Sequence, residues 1–250
     1  MNSRVILVSD DRSSLRSPDT LLWPDAACMR GIHTGEWTAH IFEYAMSFEG
    51  NMTQVRELAA ANGVGVLHPH GALATDPPGL IVCDVDSTVT RTEAIDLLAE
   101  CAGKADEVRE ITARAMVGEL DFTQSLYARV RCLEGLHIGA LEEAWKATVI
   151  TPGTAELVAA AHDVGAAVGL VSGGFTAIVD PLAEQIRADF AASNELEIVD
   201  NHLTGRVVGD IIDRAAKATW LRRWASERGV ALERTIALGD GANDLDMFAI

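Results

Sequence analysis

The chain has 250 residues, 48% of them hydrophobic and 23% charged, with a formal net charge of −17 at pH 7. That length can bury a sizeable core, as one large domain or two smaller ones. The negative charge disfavours nucleic acid and anionic lipid as partners, and a small anionic substrate would need local cations or a bound metal.

The opening "MNSRVILVSDDRSS" has too short an apolar segment, with acids too close behind it, for a secretory signal. No apolar run approaches the roughly 20 residues needed to cross a bilayer. Cys28, Cys83, Cys101 and Cys132 lack C-x-x-C spacing, which predicts reduced, mostly buried thiols in a cytoplasmic protein. "RVILVSDD" (4–11) and "WTAHIFEYAMSF" (37–48) read as strands, and "NMTQVRELAAANG" (51–63) as a capped helix ending at Gly63. Residues 1–67 thus read as a small α+β region, possible ground for regulation but without a catalytic constellation. The prolines and glycines of 68–79 predict a linker. His68 and His70 within it find no companion ligands and read as solvated turn residues.

From residue 80 the pattern changes. "GLIVCDVD" (79–86), "AAVGLVSGG" (166–174) and "RTIALGD" (234–240) are short continuous apolar runs that end in Gly, Ser or Asp. Such runs suit parallel strands buried on both faces. Helical patterns at 154–165 and 217–229 lie before the second and third. The alternation predicts an α/β fold with a doubly wound parallel sheet, whose ligands gather beyond the carboxyl ends of the strands. About 80 residues separate the first two strands, with helical patterns at 92–103, 105–118, 121–135 and 139–148. They predict an inserted helical cap over about 90–150. "NELEIVDNHLTGRVVGDIID" (194–213) reads as a β-hairpin flap around Asp200-Asn201.

Asp84 and Asp86 leave the first strand on the same side, where a cation between them relieves their repulsion. Mg²⁺ takes oxygen ligands, usually one or two carboxylates with phosphate oxygens and water. Asp240, and after it Asp244 and Asp246, offer further carboxylates at another strand end. Asp84 is the expected nucleophile towards phosphorus, and Asp86 the acid and base that serves the leaving alkoxide and then water. The Ser172 hydroxyl, the Gly173 amide and the Lys217 ammonium supply donors for a phosphoryl group. "GDGAND" superficially matches a dinucleotide fingerprint, but Asp244 at its sixth position would repel pyrophosphate. Trp220 and Trp224, at i and i+4, read as core packing. His33, His40, His137, His162 and His202 fall into no ligand spacing.

"DVDST", "SGG", Lys217 and "GDGAND" occur in the order of the four motifs of the haloacid-dehalogenase superfamily, which residues 80–250 resemble. Within it, "DVDSTVTRTEAIDLLAECAG", "AMVGELDFTQSLYARV", "VSGGFT" and "GDGANDLDM" look like the phosphoserine-phosphatase family. The resemblance implies hydrolysis of O-phospho-L-serine to serine and phosphate through an aspartyl-phosphate, the last step of serine biosynthesis. It places Glu93 at the substrate amino group and Arg129 at its carboxylate. Mg²⁺ would fall on Asp84, the Asp86 main-chain carbonyl and Asp240, and phosphate contacts on Ser172, Gly173, Lys217 and Asn243. Members of the family continue past "GDGANDLDM" with another strand and helices. The expectation is therefore a fragment lacking the family's C-terminal end, with an exposed sheet edge at the strand ending in Asp240. The alternatives are a phosphotransferase, a phosphatase for another small ester, a phospho-acceptor signalling module, or an inactive binding remnant.

Overall fold

A computed structural model describes residues 3–9, 28–34, 37–46 and 52–250. Contacts divide the chain into two compact units, Met1–Asp76 and Pro77–Ile250. In the first, β1 (Ser3–Ser9), β2 (Cys28–Thr34), β3 (Trp37–Met46) and β4 (Gly65–Leu67) form an antiparallel sheet in the order β2-β3-β1-β4. Helix α1 (Met52–Ala61) leads into β4. The expected strands 4–11 and 37–48 are β1 and β3, apart from Asp10, Asp11, Ser47 and Phe48, which lie outside the described residues.

In the second unit, β5 (Leu80–Cys83) opens a sheet whose order is β8-β7-β6-β5-β9, with β6 at Ala167–Phe175, β7 at Phe190–Val199, β8 at His202–Val208 and β9 at Thr235–Leu238. β5, β6, β7 and β9 run parallel, and β8 returns antiparallel to β7. The sheet is therefore mixed rather than purely parallel. The flap hairpin is not a separate insertion, because β7 begins beside β6 in the main sheet and runs outward to pair with β8. Asp200 and Asn201 turn it at φ 48° and 61°, left-handed values that short polar residues tolerate in two-residue hairpin turns.

Alternation along β5 accounts for its unbroken apolar run. Ile81 and Cys83 pack with Val158 and Ala161 of α6 (Thr154–Asp163) and Val179 and Leu182 of α7 (Thr176–Ile186). Leu80 and Val82 pack on the other face, with Leu221 and Trp224 of α8 (Arg214–Glu227). Both faces are covered, and each such buried aliphatic side chain contributes about 1.5–3 kcal/mol. Trp224 lies so close to β6 that a Cβ on Gly169 would stand 2.7 Å from its ring, so glycine permits the contact. Trp220 packs against the same cluster, its ring 5.4 Å from that of Trp224.

Between β5 and α6 the chain makes a wide turn at 85–89, closed by the Thr90 amide on the Val85 carbonyl at 2.9 Å. It then builds four helices: α2 (Ala94–Cys101), α3 (Ala105–Met116), α4 (Phe122–Arg131) and α5 (Gly139–Ala147). It returns through a bridge between Thr90 and Ile150. Leu98, Leu126, Val130 and Leu133 form the cap's core with Phe175 and Ile178 at the end of β6 and start of α7. Asp121 and Gln124 form a reciprocal cap that fixes the start of α4. β9 is the outermost strand on its side and its four residues are half-buried. A last turn, α9 (Leu245–Phe248), follows. No described helix is long and apolar enough to cross a membrane, and Cys83, Cys101 and Cys132 are free thiols.

Candidate active site

Register brings the strand ends level. Cys83 pairs with Leu170 of β6 and Leu238 of β9, and the Asp84 amide continues the ladder by donating to the Leu238 carbonyl at 2.8 Å. Strand order reverses about β5, which has β6 on one side and the much later β9 on the other. Clefts form at such a reversal. A cavity of about 240 Å³ lies there, with Asp84, Asp86, Asp240 and Asn243 on the sheet side and Glu93 and Arg129 on the cap side. Gly173 and Gly174 form part of its wall, and Ile95, Phe122, Leu126 and Phe175 add apolar surface.

Asp84 is buried, and its Oδ1 accepts from Lys217 Nζ at 2.5 Å. Lys217 is itself 1% exposed and donates a second bond, 2.7 Å long, to Oδ1 of the fully buried Asp244. Its position on α8 explains the burial. Lys217, Leu221 and Trp224 stand at i, i+4 and i+7, so the lysine occupies the stripe that faces the sheet. Burial pushes the Asp84 carboxyl up to about 6, with the Lys217 charge and hydrogen bond pulling against it.

Asp86 has different partners. Its Oδ1 accepts from the Ala94 amide at the start of α2 (2.9 Å), and its Oδ2 accepts from the Ser172 hydroxyl (3.1 Å). Burial pushes it up to about 6, opposed by the Ala94 bond and reinforced by Glu93 and Asp84. Ser87, at φ 59°, turns the chain towards the cap and donates from Oγ to Glu93 Oε1 at 2.6 Å. Burial lowers the Arg129 pKa, while Glu93, Asp96 and Asp86 favour its charged form.

The cavity thus collects Asp84, Asp86, Glu93, Arg129, Gly173, Asp240 and Asn243 from the expected set. Ser172 and Lys217 stand behind its wall, both almost wholly buried, and act on Asp86 and Asp84. Asp246 is turned away, paired with Arg214 at 2.5 Å. Asp244 is drawn inward, and its carboxylate, with those of Asp84 and Asp240, places one oxygen from each within 4.8 Å of the others. An anionic set made only of oxygens suits a hard divalent cation such as Mg²⁺ rather than zinc or copper. Charge balance agrees. Among the described residues, Asp84, Asp86, Glu93, Asp240 and Asp244 face only Lys217 and Arg129 as cations. An anionic substrate therefore requires further positive charge.

Sequence reasoning did not identify the apolar wall or the ion triplet Asp84–Lys217–Asp244. The wall follows from cap packing that joins distant segments. The triplet had one legible sign, a lysine in register with the apolar stripe of α8.

Residues 81–249 match the family model described as haloacid dehalogenase-like hydrolase. The chain belongs to that family. A phosphoserine phosphatase from Streptomyces coelicolor is 51% identical over 189 residues, which cover 76% of this chain and 46% of that protein. The chain thus spans about half the length of that relative. Among solved structures, the unliganded form of a probable phosphoserine phosphatase from Vibrio cholerae superposes with a TM-score of 0.80 at 35% identity, covering 98% of this chain and 75% of the other. A phospho-aspartyl intermediate analogue of phosphoserine phosphatase gives a TM-score of 0.66 at 41% identity, covering 70% and 83%. In this haloacid dehalogenase-like hydrolase, the cavity lies where the parallel strands end, facing α4 and the start of α2 in the cap.

Proposed function

We propose that the chain is a Mg²⁺-dependent phosphatase that hydrolyses O-phospho-L-serine to L-serine and phosphate, a reaction that completes serine synthesis. The observation that carries the reading is the division between two acids in one turn. Asp84 is held by a buried ammonium beside Asp240 and Asp244, while Asp86 is held by the Ala94 amide and the Ser172 hydroxyl. Neighbouring carboxyl groups in unlike environments are the usual basis of separate nucleophile and acid–base roles.

Asp84 attacks phosphorus, the ester P–O bond breaks, and Asp86 gives its proton to the departing serine oxygen. Water then attacks the aspartyl-phosphate, and Asp86 takes the proton from that water, which restores both acids. Asp84, the Asp86 carbonyl and Asp240 would hold Mg²⁺, which when bound supplies positive charge for the phosphoryl oxygens. The Gly173 amide and Asn243 would contact phosphate, while Ser172 and Lys217 act from behind the wall on Asp86 and Asp84. On the cap side Glu93 meets the substrate ammonium and Arg129 its carboxylate, a planar fork for a planar anion. The similarity to phosphoserine phosphatases supports the substrate, and the likeness to the phospho-aspartyl intermediate analogue supports the covalent step.

The purified chain should release phosphate from O-phospho-L-serine with Mg²⁺ and lose that activity in EDTA. Turnover in homoserine should leave inorganic phosphate as the main product. Transfer to homoserine instead would make the protein a phosphotransferase. Turnover of an aryl phosphate without turnover of phosphoserine would refute the substrate.

A further inference from the structure

The end of β6 contains an irregularity that the roles above do not use. Val171 pairs with Ala192 and Phe175 with Asn194, so Ser172, Gly173 and Gly174 span a gap that a single residue, Ser193, spans on β7. The three leave the ladder, and Gly173 and Gly174 come to line the cavity. A bulge of this kind redirects main-chain groups and forfeits pairing bonds.

Asn194 closes it. The residue is 0% exposed, its Nδ2 donates to the Gly173 carbonyl at 2.8 Å, and its Oδ1 accepts from the Ile212 amide at 2.9 Å. The Gly173–Gly174 peptide is thereby held at both ends, by Asn194 at its carbonyl and by Ser172 Oγ at its amide, 2.8 Å away. Ile212 immediately precedes Asp213, which caps α8 by accepting from the Ala216 amide. One buried carboxamide therefore joins the glycine turn to the segment that launches the Lys217 helix. Its place in the sequence fits: Ala192, Asn194 and Leu196 alternate towards the buried face of β7, and an amide among them is costly unless both its ends are bonded.

We propose that Asn194 is a positioning residue for phosphoryl recognition, which sets the Gly173 peptide and the start of α8 relative to each other. The proposal rests on the phosphatase reading. It assigns Asn194 to the phosphoryl half of the substrate and not to the Glu93–Arg129 half.

Asn194→Asp is nearly isosteric and keeps the acceptor for Ile212 but loses the donor to Gly173, while Asn194→Ala loses both. Each is assayed well below its melting temperature on phosphoserine and p-nitrophenyl phosphate, with inhibition by inorganic phosphate and by L-serine measured separately. A small displacement of a reacting group costs about a hundredfold. The expectation is a loss of kcat on that order by the same factor on both substrates, and weaker phosphate inhibition. Inhibition by L-serine should be unchanged. Inhibition constants do not depend on the folded fraction, so a purely structural role would move neither. Unchanged kcat and phosphate inhibition in folded variants would overturn the proposal, as would failure of both to fold, which would assign Asn194 to folding alone. If the wild type ignores phosphoserine but turns over the aryl phosphate, the substrate reading fails and the same comparison on the aryl ester still decides the role of Asn194.

Discussion

Replacing Lys217 by Met keeps the volume of the side chain and deletes its charge. Asp84 and Asp244, with side chains 4% and 0% exposed, then lose the ammonium that bonds them at 2.5 and 2.7 Å. Removing one partner of a buried ion pair costs about 3–5 kcal/mol, because the charge left behind cannot recover its hydration. At about 2–4 °C per kcal/mol for a chain of this size, Tm should fall by about 6–20 °C. The loss should depend on pH. The Asp84 carboxyl, already raised to about 6 by burial, rises further without the Lys217 charge and hydrogen bond that pull it down. The folded variant then holds the Asp84 proton to higher pH than the unfolded chain does, so the deficit is full at high pH and shrinks as acid neutralises Asp84. Adding Asp244→Asn should recover part of the loss, since one of the two stranded charges is gone. The assay is thermal unfolding followed by tryptophan fluorescence, in EDTA so that no divalent cation substitutes for the ammonium. A change below about 2 °C across the pH range would refute the argument that this lysine neutralises a buried pair.

For Asp86, a rise from 3.8 to about 6 corresponds to ~3 kcal/mol of stability withheld once the carboxyl ionises above that pH. Asp86→Asn should therefore raise Tm at pH 7.5, have little effect near pH 4, and lower kcat by about 10²–10⁴-fold; a variant less stable at pH 7.5 would contradict it. Arg129→Ala should weaken phosphoserine use by about ten- to a hundredfold, the worth of a charged hydrogen bond, and spare p-nitrophenyl phosphate; equal losses would make Arg129 structural. Gly169→Ala forces a methyl group into the Trp224 ring, at a cost of about 1–3 kcal/mol, and should lower Tm while leaving kcat at 25 °C intact.

The strand ends were legible because β5 and β6 are buried on both faces and the half-buried β9 keeps a similar apolar run, so each run stops where the chain meets solvent and polar chemistry begins. Other parts were hidden for identifiable reasons. Helix α7 carries Pro181 in its interior, which reads as a break although the rest of Thr176–Ile186 remains helical. β7 opens with "FAAS", small residues without a strong strand signal, so its place in the main sheet was lost inside the flap pattern. Lys217 looks like an ordinary charge at a helix start until Asp84 and Asp244, 133 and 27 residues distant, are brought against it. Motifs at strand ends are local and can be read along the chain. The partners that perturb them come from other segments and emerge only with the fold.

The central claim, that Asp84 takes up phosphorus, is tested most directly by rapid acid quench of the protein with O-phospho-L-serine and Mg²⁺, followed by peptide mass analysis. One phosphoryl group should appear on the peptide that contains Asp84, labile to hydroxylamine and absent from Asp84→Asn. Phosphate release with Asp84→Asn intact, or a label carried on any other residue, would contradict the account.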